Sequence, residues 1–138
     1  MIGVIDTEGD CAEWDFPADP GAVRTARAAV RKQLGAWGLG ALGDLTALLV
    51  SELVTNSLRH ASGPIGVRLV RPAGPSGILL VEVSDPLPDP PLERDAAPDD
   101  EGGRGIQLVA RASRRWGTRQ GSTGKTGKTV WFELVLPG

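Results

Sequence analysis

The chain has almost none of the residues from which cross-links and catalytic metal cages are made. Cys11 is the only cysteine and His60 the only histidine among 138 residues. An intrachain disulfide is therefore impossible, and a zinc site has no Cys/His pattern to draw on. The lone histidine also leaves a Ser-His-acid triad without support from context. Positive charge is scarce as well: the formal net charge is −2 and the pI about 5.4. That gives no basic footprint for direct nucleic-acid binding, although Arg111, Arg114, Arg115 and Arg119 cluster locally. No apolar run approaches the ~20 residues of a membrane-spanning helix, and Met1 to Glu8 has neither the basic start nor the apolar block of a signal peptide. The expectation is a cytoplasmic chain with no membrane segment.

What is present suits one globular domain. Hydrophobic residues make up 41% and charged residues 23%, enough to bury a core without metals or disulfides. The 19 glycines and 11 prolines point to specialised loops within an ordered fold. Residues 1–9 read as a flexible tail and 10–138 as a single domain. Cys11 to Phe16 alternates apolar and polar positions as a strand does. Asp19-Pro20 then opens a helix in which Val23, Ala26, Val30, Leu34 and Trp37 recur at helical spacing, ending near Gly38. Asp44 is expected to cap a second, mostly buried helix reaching about Ala61.

Ile65–Val70 and Ile78–Val83 are β-branched and alternating, so they are expected to pair as a hairpin. From Pro86 to Gly103 the chain carries five prolines and many acids, a loop of the length usually kept for function. A short helix from about Gly105 to Ala112, a strand from Arg114 to Gln120 and a last strand from Thr129 to Leu136 complete the order β-α-α-β-β-α-β-β. That order packs as an α+β two-layer sandwich, a mixed or antiparallel sheet covered on one face by three helices.

Candidate chemistry lies at four places. Glu52 and Asn56 are four residues apart on one stripe of the second helix, with His60 a turn further on. A buried carboxylate and amide need partners, which a metal, a water, a ligand or an end-of-helix hydrogen-bond network would equally supply. Asp85 closes the strand Leu79-Leu80-Val81-Glu82-Val83, as a ligand-reading group or as a turn residue before Pro86. Gly102-Gly103-Arg104-Gly105 leads into a helix whose free N–H groups suit phosphate oxygens, or serves as a connection only. Gly121 to Thr129 twice contains Gly-Lys-Thr, but Arg119 and Ser122 stand where a P-loop needs its first glycine, so this stretch reads as a hairpin turn.

In this order, Glu52-Leu-Val-Thr-Asn56-Ser-Leu-Arg-His60-Ala61, Val83-Ser-Asp85, Gly103-Arg-Gly105-Ile-Gln-Leu-Val and Lys128-Thr129-Val-Trp-Phe resemble the N, G1, G2 and final boxes of the GHKL ATPases. The wording looks like the anti-sigma-factor serine kinases and their small ATP-binding relatives, over residues 52 to 132. The resemblance implies a Bergerat-type fold with residues 86–103 as the ATP lid. It implies that Asn56 binds Mg²⁺ bridging the phosphates of ATP and that Glu52 is the catalytic carboxylate, as general base or to orient water. Asp85 would accept the adenine amino proton with Thr129 in support. Gly103 and Gly105 would let the lid backbone close over the phosphates, Arg104 would touch them, and His60 would be structural. The implied function is phosphorylation of an anti-sigma antagonist protein, with a sigma factor held across a homodimer and released by partner switching. One departure stands out: the family's Asp-x-Gly-x-Gly is here Asp85-Pro86-Leu87-Pro88-Asp89, which removes the glycines that permit close backbone approach. That leaves a non-catalytic ATP-binding module, or a domain acting through protein contacts alone, as the competing readings.

Overall fold

The computed structural model describes residues 3–6, 11–59, 63–71, 77–86, 101–120 and 127–136. The elements in chain order are β1 (Gly3–Asp6), β2 (Cys11–Phe16), α1 (Gly21–Ala36), a 3₁₀ turn (Gly40–Leu42), α2 (Gly43–Leu58), β3 (Ile65–Val70), β4 (Ile78–Asp85), α3 (Glu101–Ala112), β5 (Arg115–Gln120) and β6 (Lys128–Val135). The strands form one six-stranded sheet in the order β1-β2-β3-β4-β6-β5. Every pairing is antiparallel.

Period-two alternation sorts the strands into a core face and an outer face. Ala12, Trp14 and Phe16 of β2, Ile65, Val67 and Leu69 of β3, Leu79, Val81 and Val83 of β4, and Val130, Phe132 and Leu134 of β6 are all buried. The registers align them, with Val67 opposite both Trp14 and Val83, and Val81 opposite Phe132. Against this face lie Ala22, Ala26, Val30 and Leu34 of α1 and Leu49, Val50, Leu53 and Val54 of α2. α1 packs chiefly on α2, and α3 packs on α2 and β5. The expected α+β sandwich with three helices is the fold observed.

The helix ends have local causes. The Asp19 carboxylate accepts the Gly21 N–H at 2.9 Å, satisfying one of the orphan donors of α1. At the other end Gly38 has φ +76, and the Leu39 N–H returns to the Leu34 carbonyl at 2.7 Å, a left-handed stop that glycine takes without strain. Asp44 is not the cap of α2: the 3₁₀ turn runs straight into the helix, whose N-cap is Leu42. Asp44 sits instead in the first turn, where its charge suits the helix dipole, 3.2 Å from Arg31.

Three further expectations are corrected. Gly3–Asp6 pairs with the free edge of β2, so the stretch read as a tail contains a strand. α3 starts at Glu101, a turn before the expected start near Gly105. Leu48, on the helix expected to be mostly buried, is 45% exposed. His60, the tip of the β3–β4 hairpin, the turn over 121–126 and residues 87–100 of the expected lid lie outside the described residues.

Candidate functional site

α2 is the element around which the candidate residues gather. Its spacing puts Glu52 and Asn56 on one stripe; Glu52 is half-buried and Asn56 only 7% exposed. The next residue, Ser57, turns to the sheet and donates its hydroxyl to Asp85 Oδ2 at 2.9 Å. One turn of helix thus links the stripe to the end of β4.

Glu52 opens on α3. A cleft of about 270 Å³ is lined by Glu52 with Gln107, Leu108 and Arg111, the three α3 residues falling on one face of their helix. The backbone of Gly103, Arg104 and Gly105 belongs to the first turns of α3. The N–H groups of Gly103 and Arg104 are among the first four of the helix, which have no partner within it. A helix start of this kind offers donors and a positive dipole end to an anion.

Asp85 ends β4 on the core face and is almost enclosed, its side chain 1% exposed. Its register partner is Lys128, the first residue of β6, and Lys128 Nζ lies 3.9 Å from Asp85 Oδ2 with the lysine side chain 3% exposed. Burial pushes the Lys128 ammonium below the usual lysine range, and the charge of Asp85 opposes that shift. Gly127 holds the two strand ends together. Its φ is +128, and a Cβ there would stand 2.4 Å from the Asp85 carbonyl oxygen, closer than any side chain tolerates.

Thr129 is brought to a different neighbour from the one the resemblance implies. It pairs in register with Ser84, and the two hydroxyls are hydrogen-bonded at 2.8 Å. Strand alternation puts this pair on the outer face, opposite to the Asp85 carboxylate. The outer face continues with Glu82, buried between Arg68, at 2.8 Å, and Arg119. Trp131 lies over Gly117, where a Cβ would meet its ring at 2.8 Å, with the Arg115 guanidinium 5.8 Å from the ring centre.

Motif reading assigned no role to Ser57, Lys128, Gly127 or Arg111. Lys128 was within reach of sequence reasoning: counting back by twos from Phe132 and Val130 puts it on the core face, opposite Asp85. Among the described residues no three His, Cys, Asp or Glu side chains group as a metal cage. The amide oxygen of Asn56 is an oxygen donor, the class of ligand that Mg²⁺ takes alongside phosphate and water.

Residues 16–134 match the family described as the histidine kinase-like ATPase domain. Similar solved structures include the histidine kinase domain of the blue-light activated histidine kinase from Erythrobacter litoralis, at 26% identity and a TM-score of 0.45. That likeness covers 88% of this chain and 62% of the other, so this chain spans less than two thirds of that one. Comparison with curated proteins gave no match. Among the described residues no helix is long and apolar enough to cross a membrane.

Proposed function

The chain belongs to the histidine kinase-like ATPase domains, and from that premise we propose that it is an ATP- and Mg²⁺-dependent serine kinase of the anti-sigma-factor type. The observation that carries the reading is the pairing of a half-buried Glu52, open to the cleft toward α3, with a buried Asn56 one turn on. A carboxylate at a cleft mouth has a use that an enclosed one lacks. In this reading Asp85 takes the adenine amino group with Ser57 steadying its carboxylate, and Thr129, bonded to Ser84 on the outer face, supports only the joined strand ends. The N–H groups of Gly103 and Arg104 at the start of α3 face the phosphates, and Gly105 lets the helix backbone come close to them. Asn56 would hold Mg²⁺ together with the phosphates, and the ion would supply positive charge to the group in transfer.

Glu52 accepts the proton of a serine hydroxyl on the antagonist protein. The serine oxygen bonds to the γ-phosphorus as the bond to the β–γ bridging oxygen breaks, and ADP leaves. The protein's contribution is positioning and fixed charge. The proposed partners are that antagonist and a sigma factor, bound in turn, the latter by a homodimer. The test is phosphotransfer to a cognate antagonist. Glu52→Ala should lower the rate by about 10²-fold or more while calorimetry still shows Mg²⁺-dependent ATP binding.

A second reading has its own support. Pro86, Leu87 and Pro88 follow Asp85 where glycines would let backbone approach a nucleotide, and a bound nucleotide that only shapes a docking surface fits that change. It predicts ATP binding with no turnover. A phosphoserine on any antagonist after incubation with this protein and ATP would remove it.

A further inference from the structure

The group proposed to read the nucleobase is already occupied. Asp85 Oδ2 takes the Ser57 hydroxyl at 2.9 Å and faces the Lys128 ammonium at 3.9 Å. The two ionic side chains are 1% and 3% exposed. The backbone beneath them is closely packed. Asp85 and Lys128 are register partners at the joined ends of β4 and β6, and the close approach of Gly127 to the Asp85 carbonyl pins that junction. Access to the carboxylate must therefore come from movement of a side chain.

Of Ser57 and Lys128, the two described side chains at Asp85 Oδ2, Lys128 is the one built to move. Ser57 is short and fixed on α2, whereas lysine carries its charge on a four-carbon stem with three rotatable donors. Its buried position is also costly. An ammonium out of water loses hydration that one carboxylate at 3.9 Å only partly replaces, in keeping with the depressed basicity of this group. Swinging the charge to solvent while the stem stays packed is the ordinary alternative for such a side chain.

Resting on the nucleotide-binding reading above, we propose that Lys128 is a lock on Asp85. Its ammonium stands beside the carboxylate where an exocyclic amino group would sit, and a nucleotide reaches Asp85 only by displacing it. The exchange is donor for donor, so the carboxylate is satisfied in both states and never left bare in a buried site. The lock lowers apparent affinity by the fraction of molecules in the closed state. Lys128 is thus an affinity-setting residue, separate from the residues that touch phosphate or metal.

The test combines a variant with a label. Mg-ATP binding is measured by calorimetry on the wild-type chain and on Lys128→Met, which keeps a flexible apolar stem without the charge. In parallel, acetylation of Lys128 by acetic anhydride is followed by mass spectrometry with and without saturating Mg-ATP, with the exposed Lys32 as internal reference. The lock predicts at least about five-fold tighter binding by Lys128→Met. It also predicts slow acetylation of Lys128 in the free protein that speeds up several-fold with nucleotide. Binding by the variant where wild type shows none up to millimolar ATP would support the same conclusion. Equal or weaker binding by a folded Lys128→Met overturns the lock and leaves nucleotide binding standing. Should the variant fail to fold, an acetylation rate unchanged in wild type saturated with Mg-ATP overturns it alone. If neither protein binds, the lock and the nucleotide reading fall together.

Discussion

Thr46 carries the one buried side-chain oxygen that has no hydrogen-bond partner among the described residues. It lies on α2, fully enclosed, and a hydroxyl in that position costs about 1–3 kcal/mol of desolvation. Among the described residues no group offsets that cost. Thr46→Val keeps the branched shape and removes the unpaired group. It should raise stability by about 1 kcal/mol, seen as a higher urea midpoint with an unchanged slope. A lower midpoint would mean that the hydroxyl finds a partner. At this scale the sequence is readable wherever periodicity applies. Glu52 and Asn56 share a stripe because four residues make about one helical turn, and their spacing alone makes that legible. Thr129 is not readable in the same way. A motif names residue types, but which residue stands opposite Asp85 depends on register, and register sets Lys128, not Thr129, there.

Glycines decide the element boundaries, in two opposite senses. Gly102, Gly103 and Gly105 each cost about 1 kcal/mol in a helix interior relative to alanine, so local propensity puts the helix start after them. The helix begins at Glu101 nonetheless, because packing against α2 and β5 contributes more than local propensity removes. β1 escapes sequence reading for a related reason. A four-residue strand has too few positions for alternation to show, and it exists because β2 presents an open edge. Gly127 is the opposite case, a position where no other residue fits. Gly127→Ala should cost about 2–4 kcal/mol through left-handed strain and collision with the Asp85 carbonyl. Gly66→Ala serves as the comparison, since its added methyl group meets nothing nearer than 3.4 Å, and it should change stability by less than about 1 kcal/mol. Similar losses at the two sites, measured by chemical unfolding, would contradict the role given to the β4–β6 junction.

The whole molecule is a sheet with two unlike faces. One is the core; the other carries Glu82 between two arginines, the Trp131 ring over Gly117, and the Arg114–Glu133 pair at 3.2 Å. The candidate site touches neither face alone. It runs from α2 through the paired ends of β4 and β6 to the start of α3, so a nucleotide bound there ties together parts of the chain that separate on unfolding. Binding to the folded state alone stabilises it by about 2.7 kcal/mol at a ligand concentration of 100 Kd. For a domain of this size that corresponds to a rise of roughly 10 °C in the thermal midpoint. The rise should appear with Mg-ATP, shrink when a chelator removes Mg²⁺, and vanish in Asp85→Asn. A midpoint that Mg-ATP at millimolar concentration leaves unmoved, in wild type and Lys128→Met alike, would show that the site binds no nucleotide. The α2 stripe and the Asp85–Lys128 pair would then be parts of the scaffold, and function would rest with protein contacts elsewhere on the domain.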